Sequence, residues 1–271
     1  MHNTRKRLLA GPYLVWIIGF TVLPILMILY YAFTNSDGGF TWANIAAIAD
    51  PVHIKALLLS LKLGILCTVV CLLLSYPLAM ILNSLHIKHQ SFVVFIFVLP
   101  MWMNFMLRIL AWQMLLSNNG IINGFLSIFG IPKLHMLNTQ GAVVFGMIYD
   151  FLPFMILPLY TTLSKMDNSI IEAANDLGAN NFQTFIRIIL PLSVPGIISG
   201  ISMVFLPAMT NYVVLDMLYN STYIMGSLIG SYFSAYDWNN GSMIALILLI
   251  IICIISLISA DSDNEGSGRR L

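Results

Sequence analysis

Charged residues are scarce in this chain of 271 residues. Only 8% are Asp, Glu, Lys or Arg, whereas 59% are hydrophobic, and the mean hydropathy is +0.90. A soluble domain has about 25% charged and about 45–50% apolar residues, so this chain lacks the polar groups to cover a water-facing surface. The formal net charge of +1 gives no basic footprint for nucleic acid. The composition therefore excludes a soluble or disordered protein and predicts a membrane protein.

Cysteine and catalytic motifs are also scarce. Cys67, Cys71 and Cys253 lie inside apolar runs, where a free thiol behaves as a small hydrophobe, so we expect no disulfide framework. No lysine follows a glycine, which excludes a phosphate-binding loop, and the sequence contains neither HExxH nor GxSxG. We interpret the close pair His86 and His89 as solvated rather than metal-bound, because no cysteine is near. We expect no catalytic site, metal or cofactor in this chain.

The hydrophobic residues form continuous runs of about 20 residues, unlike the alternating pattern of a transmembrane β-barrel. Such runs predict an all-α, polytopic membrane protein. We predict six transmembrane helices, at residues 11–33, 56–82, 92–107, 141–163, 195–215 and 241–260. Residues 1–260 then form a single transmembrane domain, and residues 261–271 form a polar tail without an amphipathic helix.

Lysine and arginine are unevenly distributed between alternate loops. With the amino terminus inside, the inner segments hold eight of these residues and the outer segments hold four. Because cytoplasmic loops carry the excess, we predict that both termini are cytoplasmic. The outer loops at residues 117–140 and 219–242 mix turn residues with short apolar pieces, which is typical of short amphipathic or re-entrant helices. These helices either receive a partner or cover the bundle.

Counting spans from a cytoplasmic amino terminus places the loop at residues 164–191 in the cytoplasm. Its sequence is unlike that of the other loops. Ser169 and Glu172 have the spacing of a capping box, so we predict that a helix starts at Ile170. Gly178 is expected to stop this helix as a left-handed cap. One face of the helix is apolar, with residues at spacings of four and three: Ile170, Ala174 and Leu177.

A second short helix is predicted in the same loop. Asn180 or Asn181 can cap it, residues 182–190 form it, and Pro191 is expected to end it as the chain re-enters the membrane. Helices of about eight residues are unstable alone, because nucleation is costly and few hydrogen bonds offset it. The loop therefore needs a surface against which it docks.

The loop carries a spaced signature, consisting of Glu172, Ala173, Ala174, Gly178, Ile188, Leu190 and Pro191. At these positions it resembles the cytoplasmic loop of the permease subunits of binding-protein-dependent ABC importers. From about residue 11 to residue 257 the chain is similar in particular to the B-type permease of spermidine/putrescine importers. The resemblance implies the type I importer permease fold in a bacterial cytoplasmic membrane, and a role in moving polyamines into the cell.

The resemblance also implies partners. In that family the loop helix seats in a groove of a separate ABC ATPase, expected here as a dimer, which uses the ATP. A second, homologous permease subunit and an extracytoplasmic polyamine-binding protein complete the importer. Glu172 to Gly178 would be the coupling helix of this chain.

Charged residues inside membrane spans point to a partner or a wet cavity, because each costs roughly 2.5–3.5 kcal/mol at the membrane centre. Asp150 lies about 14 Å into the fourth span at the helical rise. Because a polyamine is a chain of cations, we predict that Asp150 lines its pathway; alternatively, it pairs with another helix or with the second permease. Aromatic and acidic residues join it as candidates: Tyr149, Trp102, Trp112, Tyr212 and Asp216. Arg108 and Lys62, near outer span ends, are expected to reach the headgroups without a role in transport.

Other functions stay open at this point. The chain could be an importer permease for another small solute. A stand-alone secondary carrier would show broken helices at matching places in two halves of the chain. An intramembrane enzyme would need a convergent nucleophile and base, and a purely structural subunit would not need the complete loop signature.

Overall fold

The long apolar runs fold into helices in the computed structural model, which describes residues 11–35, 38–46, 49–84, 95–219 and 222–268. Within these residues, five helices are long and apolar enough to cross a membrane, and a bent pair provides a sixth crossing if it counts as one span. We number the helices in chain order: α1 Gly11–Ala32, α2 Pro51–Ser84, α3 Phe105–Leu116, α4 Ile121–Ile128, α5 Gln140–Ser164, α6 Asn168–Asp176, α7 Asn181–Thr210, α8 Tyr212–Leu218, α9 Met225–Ser234 and α10 Trp238–Gly268.

The third predicted span, at residues 92–107, is wrong as one continuous helix. Its first three residues lie outside the described part of the chain, and the rest divides into Phe95–Trp102 and a second helical piece bent by 94°. Asn104 makes the break, because its side-chain oxygen accepts a hydrogen bond from the Leu107 amide at 3.2 Å and so begins α3. This span is therefore broken or re-entrant.

The fifth predicted span, at residues 195–215, has different ends in the structure. Asn211 stops α7, since its backbone leaves the helical region and its side-chain oxygen accepts from the Val214 amide at 3.3 Å. Leu215 therefore belongs to the short helix α8. At its other end α7 includes the second helix of the loop, so the span and the loop helix are continuous.

Helices α2, α5 and α7 form the centre of the bundle. Of the candidate spans, α5 is the most enclosed, with 61% of its apolar window buried. Two glycines of α7 allow it to approach α5 closely. A Cβ at Gly196 would lie 2.6 Å from the Thr162 hydroxyl oxygen, and one at Gly200 would lie 2.5 Å from the Met155 sulfur. The two helices are therefore in direct contact.

The periphery holds α1 and the short helices. None of the apolar window of α1 is buried, and its final turn packs on α10 through Ala32, Met243 and Leu246. Side chains exposed in this way suit contact with lipid or another membrane subunit. The short helices predicted at residues 117–140 and 219–242 are confirmed as α4 and α9. Residues 261–268 of the predicted tail continue α10 as a helix.

Candidate functional site

Helix α6 begins two residues earlier than the sequence predicts, at Asn168 rather than Ile170. Asp167 is its N-cap, and the carboxylate accepts a hydrogen bond from the Ser169 amide at 2.9 Å. Hydrogen bonds from the backbone and side chain of Ser169 lower the pKa of the Asp167 carboxyl. The predicted capping box of Ser169 and Glu172 is therefore wrong, because Ser169 already lies inside the first turn.

The carboxyl end of α6 confirms the predicted left-handed cap. Gly178 has φ +83°, and its amide donates to the Asn175 carbonyl at 2.9 Å. The Ala179 amide donates to the Ala174 carbonyl at 3.0 Å. This pair of bonds is the Schellman motif, which satisfies carbonyls that the helix leaves free and turns the chain sharply.

The predicted apolar face of α6 is only partly covered by the bundle. Ala174 is buried, whereas Ile170 is 43% exposed and Leu177 is 88% exposed. Phe182, at the start of α7, is 70% exposed. Large apolar side chains left open on a polar loop are typical of a surface that another protein covers.

The second loop helix begins as predicted and ends differently. Asn180 and Gln183 form a capping box, with each side chain accepting from the other's amide at 2.8 and 3.0 Å. Pro191 does not end the helix, which continues through it to Thr210. The turn before it, Phe185–Ile189, is a wider π-helix. Because proline lacks an N–H and crowds the carbonyl four residues earlier, the wider turn gives this carbonyl room.

The signature residues divide between solvent and bundle. Four are exposed: Glu172, Ala173, Gly178 and Pro191. Ala174 is buried, and Ile188 and Leu190 are half-buried, with Leu190 packed against the main core. The loop therefore rests on the bundle through one side and presents the other outward.

A second polar feature lies inside the bundle, where Asp150 is 2% exposed. A guanidinium nitrogen of Arg108 lies 3.4 Å from its carboxylate, and Arg108 is also buried. The expectation that Arg108 reaches the headgroups is wrong, because α3 starts at the bend in the third span and turns its first residues into the bundle. Lys62 is exposed, and its ammonium group donates a hydrogen bond to the Gln140 side chain at 3.0 Å; its contact with headgroups stays a prediction.

The ion pair is incompletely hydrogen-bonded. Within the described ranges, neither carboxylate oxygen of Asp150 and neither Nε nor Nη1 of Arg108 has a hydrogen-bond partner. Arg108 lies 5.8 Å from the centre of the Tyr149 ring, and Trp112 stands edge-on to the same ring at 5.3 Å. Tyr149 and Asp150 thus both contact the buried Arg108 cation, and Trp112 packs against Tyr149.

The remaining pathway candidates lie elsewhere. Trp102 is 78% exposed and contacts the Phe95 ring at 5.9 Å, while Tyr212 and Asp216 are exposed on α8. No contact found in the described part of the chain joins these three to Asp150. The sequence reasoning missed Arg108 as a partner; the available indication was Asn104, a polar residue and helix cap inside an apolar run.

Metal-ligating residues do not converge among the residues that the structure describes, where no group of three His, Cys, Asp or Glu could hold an ion. The His86 and His89 pair lies outside these residues.

Comparison with known proteins gives consistent sequence matches. A family model described as "Binding-protein-dependent transport system inner membrane component" matches residues 75–261. The spermidine/putrescine transport system permease protein PotB of Haemophilus influenzae is 37% identical over 256 residues, which cover 91% of this chain and 90% of that protein. PotB of Escherichia coli is 37% identical over 243 residues, covering 86% and 88%.

Solved structures share the fold at low sequence identity. A chain of a bacterial ABC transporter involved in the import of the acidic polysaccharide alginate has a TM-score of 0.77 and 17% identity, covering all of this chain and 97% of that one. A chain of the MetNI methionine ABC transporter, in inward-facing conformations, has a TM-score of 0.57 and 15% identity, covering 79% and 96%. At these identities the likeness shows the fold alone.

Proposed function

Since this chain belongs to the family of binding-protein-dependent transport system inner membrane components, we propose that it is the permease subunit of an ABC importer that carries spermidine and putrescine into the cell. The predicted all-α fold of an importer permease agrees with the solved structures, and the family belongs to the inner membrane. The observation that carries the proposal is the complete loop signature, which begins on the well-capped helix α6 and continues onto the start of α7. The assignment of spermidine and putrescine as substrates is based on the similarity to PotB.

The proposed work of this chain is transport without its own ATP hydrolysis. The sequence lacks a phosphate-binding loop, so a separate ABC ATPase, working as a dimer, must use the ATP. We propose that α6 docks in a groove of this ATPase, where Leu177 and Phe182 lose their exposure to water. A second, homologous permease and an extracytoplasmic polyamine-binding protein complete the proposed importer.

The proposed substrate path includes the buried ion pair. Tyr149 and Asp150 already surround a guanidinium, and a polyamine presents cationic groups to which a carboxylate and an aromatic face are also suited. Trp102, Tyr212 and Asp216 are exposed and therefore candidates for other parts of the path. Arg108 has the same sign of charge as the substrate, so it competes for Asp150 in the present arrangement.

Reconstitution tests the proposal directly. The chain is placed in vesicles with its ATPase, second permease and binding protein, and uptake of labelled spermidine is measured with and without ATP. Gly178→Asp should abolish uptake and co-purification of the ATPase, because an aspartate is strained at φ +83° and adds charge to the docking helix. Gly130→Asp is the matched control, since Gly130 has φ +71° and equally open surroundings in another loop.

The outcomes separate the parts of the proposal. ATP-dependent spermidine uptake that Gly178→Asp removes and Gly130→Asp retains supports the coupling loop and the substrate together. ATPase association without spermidine uptake would favour an importer for another small solute. Co-purification of the ATPase with Gly178→Asp at the parental level would contradict docking through α6.

A further inference from the structure

The π-helical turn Phe185–Ile189 joins the docking loop to the bundle. It contains Ile188 of the signature, and the amide of Leu190, the next signature residue, donates to the Phe185 carbonyl across the widened turn. Such turns hold one residue more than an α-helical turn and occur frequently at functional sites. A movement of α6 must pass through this turn before it reaches the membrane-spanning part of α7.

Tyr76 of α2 contacts α7 on both sides of the π-helical turn, at its first residue, Phe185, and at Ser193, which follows the turn. Its ring meets the Phe185 ring edge-on, with centroids 5.6 Å apart. Its hydroxyl lies 2.7 Å from the Ser193 hydroxyl, and the Ser193 hydroxyl donates to the Leu190 carbonyl at 2.8 Å. Because the Ser193 proton is used in that bond, the Tyr76 hydroxyl is the donor to Ser193.

The contact is closed to solvent and lies beside a proline of α2. Tyr76 is 8% exposed and Ser193 is fully buried. Pro77 follows Tyr76 directly and removes a hydrogen bond from the interior of α2. A hydrogen bond between two buried hydroxyls is strengthened by the low dielectric constant of the protein interior. It therefore positions α2 and α7 more firmly than an apolar contact does.

Two further hydroxyl groups are buried beside this contact. Ser75 and Thr184 precede Tyr76 and Phe185 directly, and both side chains are buried. Neither hydroxyl oxygen has a hydrogen-bond partner among the residues that the structure describes. Buried hydroxyls without partners destabilise the contact, which makes the Tyr76–Ser193 hydrogen bond the main polar link between α2 and α7 at this point.

From these contacts we infer that Tyr76 is a positioning residue for coupling: it ties the π-helical turn to α2, so that movement of the docked loop moves α2 together with α7. The inference rests on the proposed function, since it needs an ATPase to move the loop. Removal of the Tyr76 hydroxyl should uncouple ATP hydrolysis from uptake while leaving the complex assembled. A hydroxyl that served stability alone would lower assembly, hydrolysis and uptake together.

The test uses the complete reconstituted importer and records two rates, ATP hydrolysis and uptake of labelled spermidine. Tyr76→Phe removes one oxygen and keeps the ring contact with Phe185. We expect uptake per ATP hydrolysed to fall about fivefold to tenfold, the size of effect that one buried hydrogen bond supports. Ser193→Ala should give at least the same loss, because it removes this bond and its own bond to the Leu190 carbonyl. The double variant should lose little more than Ser193→Ala, because the Tyr76–Ser193 bond is already absent there. Tyr160→Phe is the control, since Tyr160 is half-buried and packs against the same core without a hydroxyl bond in the described structure.

Uncoupling in Tyr76→Phe and Ser193→Ala, with parental behaviour in Tyr160→Phe, supports the inference. A parental ratio of uptake to hydrolysis in Tyr76→Phe overturns it, and so do additive losses in the double variant. If the parental complex itself shows no ATP-dependent spermidine uptake, the proposed function fails first. Coupling is then measured as the stimulation of ATP hydrolysis by the binding protein without added ligand, where an unchanged stimulation in Tyr76→Phe also overturns the inference.

Discussion

Asparagine in place of Asp150 removes one charge from the buried ion pair and changes little else. The side chain keeps its shape, whereas the Arg108 guanidinium loses the carboxylate that lies 3.4 Å away. Both residues are buried, so water cannot replace the lost partner. Breaking a buried ion pair in this way costs about 3–5 kcal/mol, because the remaining charge stays in the protein interior without compensation.

A matched neutral pair separates the charge effect from the packing effect. Arg108→Gln combined with Asp150→Asn leaves no buried charge, and two amides can bond to each other. Because the native pair leaves both Asp150 oxygens and two Arg108 nitrogens without hydrogen bonds, it contributes little net stability. We expect the double variant to be within about 1–2 kcal/mol of the parent and clearly more stable than either single variant.

Thermal unfolding of the purified complex in detergent measures these differences. A loss of 3–5 kcal/mol lowers the melting temperature by about 10 °C for a chain of this size. Asp216→Asn is the control, because Asp216 is exposed on α8 and has no ion-pair partner in the described structure. An Asp150→Asn complex that melts with the parent would refute the ion-pair reasoning, as would a double variant no more stable than the singles.

The same double variant decides whether Asp150 also lines the substrate path. It lacks the carboxylate but keeps a stable bundle, so its uptake of labelled spermidine is free of folding effects. Loss of uptake in this assembled variant supports a direct contact between Asp150 and the substrate. Uptake at the parental rate removes Asp150 from the path and leaves it a structural role.

Three further predictions concern the packing of α7 and the docking loop. Gly196→Ala should cost about 1–3 kcal/mol in unfolding free energy, because its Cβ would lie 2.6 Å from the Thr162 hydroxyl. Gly230→Ala should be neutral, because no atom lies within 4 Å of a Cβ there. Melting temperatures test both variants. Leu177→Ser should weaken ATPase binding about tenfold or more without lowering the melting temperature of this chain. Leu177 is 88% exposed, so its side chain would be buried only on docking. Titration of the permease with ATPase measures the change in affinity. Asp167→Ala should reduce ATPase co-purification while Asp167→Asn retains it, because asparagine also caps α6, and equal losses in both would refute the cap. The pKa of Asp167 is lower in the folded loop than in the unfolded chain. The ionised carboxylate therefore stabilises α6 fully at pH values above the unfolded pKa, and this stabilisation is lost as the pH falls through the folded pKa.

Local features of the loop were predictable from the sequence because neighbouring residues determine them. Gly178 and Asn180 act within a few residues of their own positions, and both are confirmed as helix caps. The start of α6 was misplaced because Asp167 and Ser169 are both good caps, and their spacing does not decide between them. Pro191 was misread as a helix end because the sequence does not reveal the wide turn that accommodates it.

Pairing between distant helices was beyond the same reasoning. Hydropathy is averaged over a run of residues, so a single asparagine inside an apolar run does not change the prediction of a span. Asn104 and Asn211 are such residues, and the side chain of each caps the start of a new helix. The sequence therefore predicts Arg108 at a membrane surface. In the structure, the break before α3 directs its side chain toward Asp150. A pattern within one segment carries no information on which residue of another segment lies opposite.

The contacts also form one mechanical route from the docking loop to the buried charges. Helix α7 begins at the loop and approaches α5 closely at Gly196 and Gly200, which face the side chains of Thr162 and Met155. Helix α5 carries Asp150, which holds Arg108 of α3 across the bundle. Because close-packed helices shift as rigid bodies rather than deform, displacement of α7 at the loop should strain or release the ion pair. Gly196→Ala should then alter uptake per ATP hydrolysed as well as stability, and an unchanged ratio in the assembled variant would show that α5 does not carry the movement.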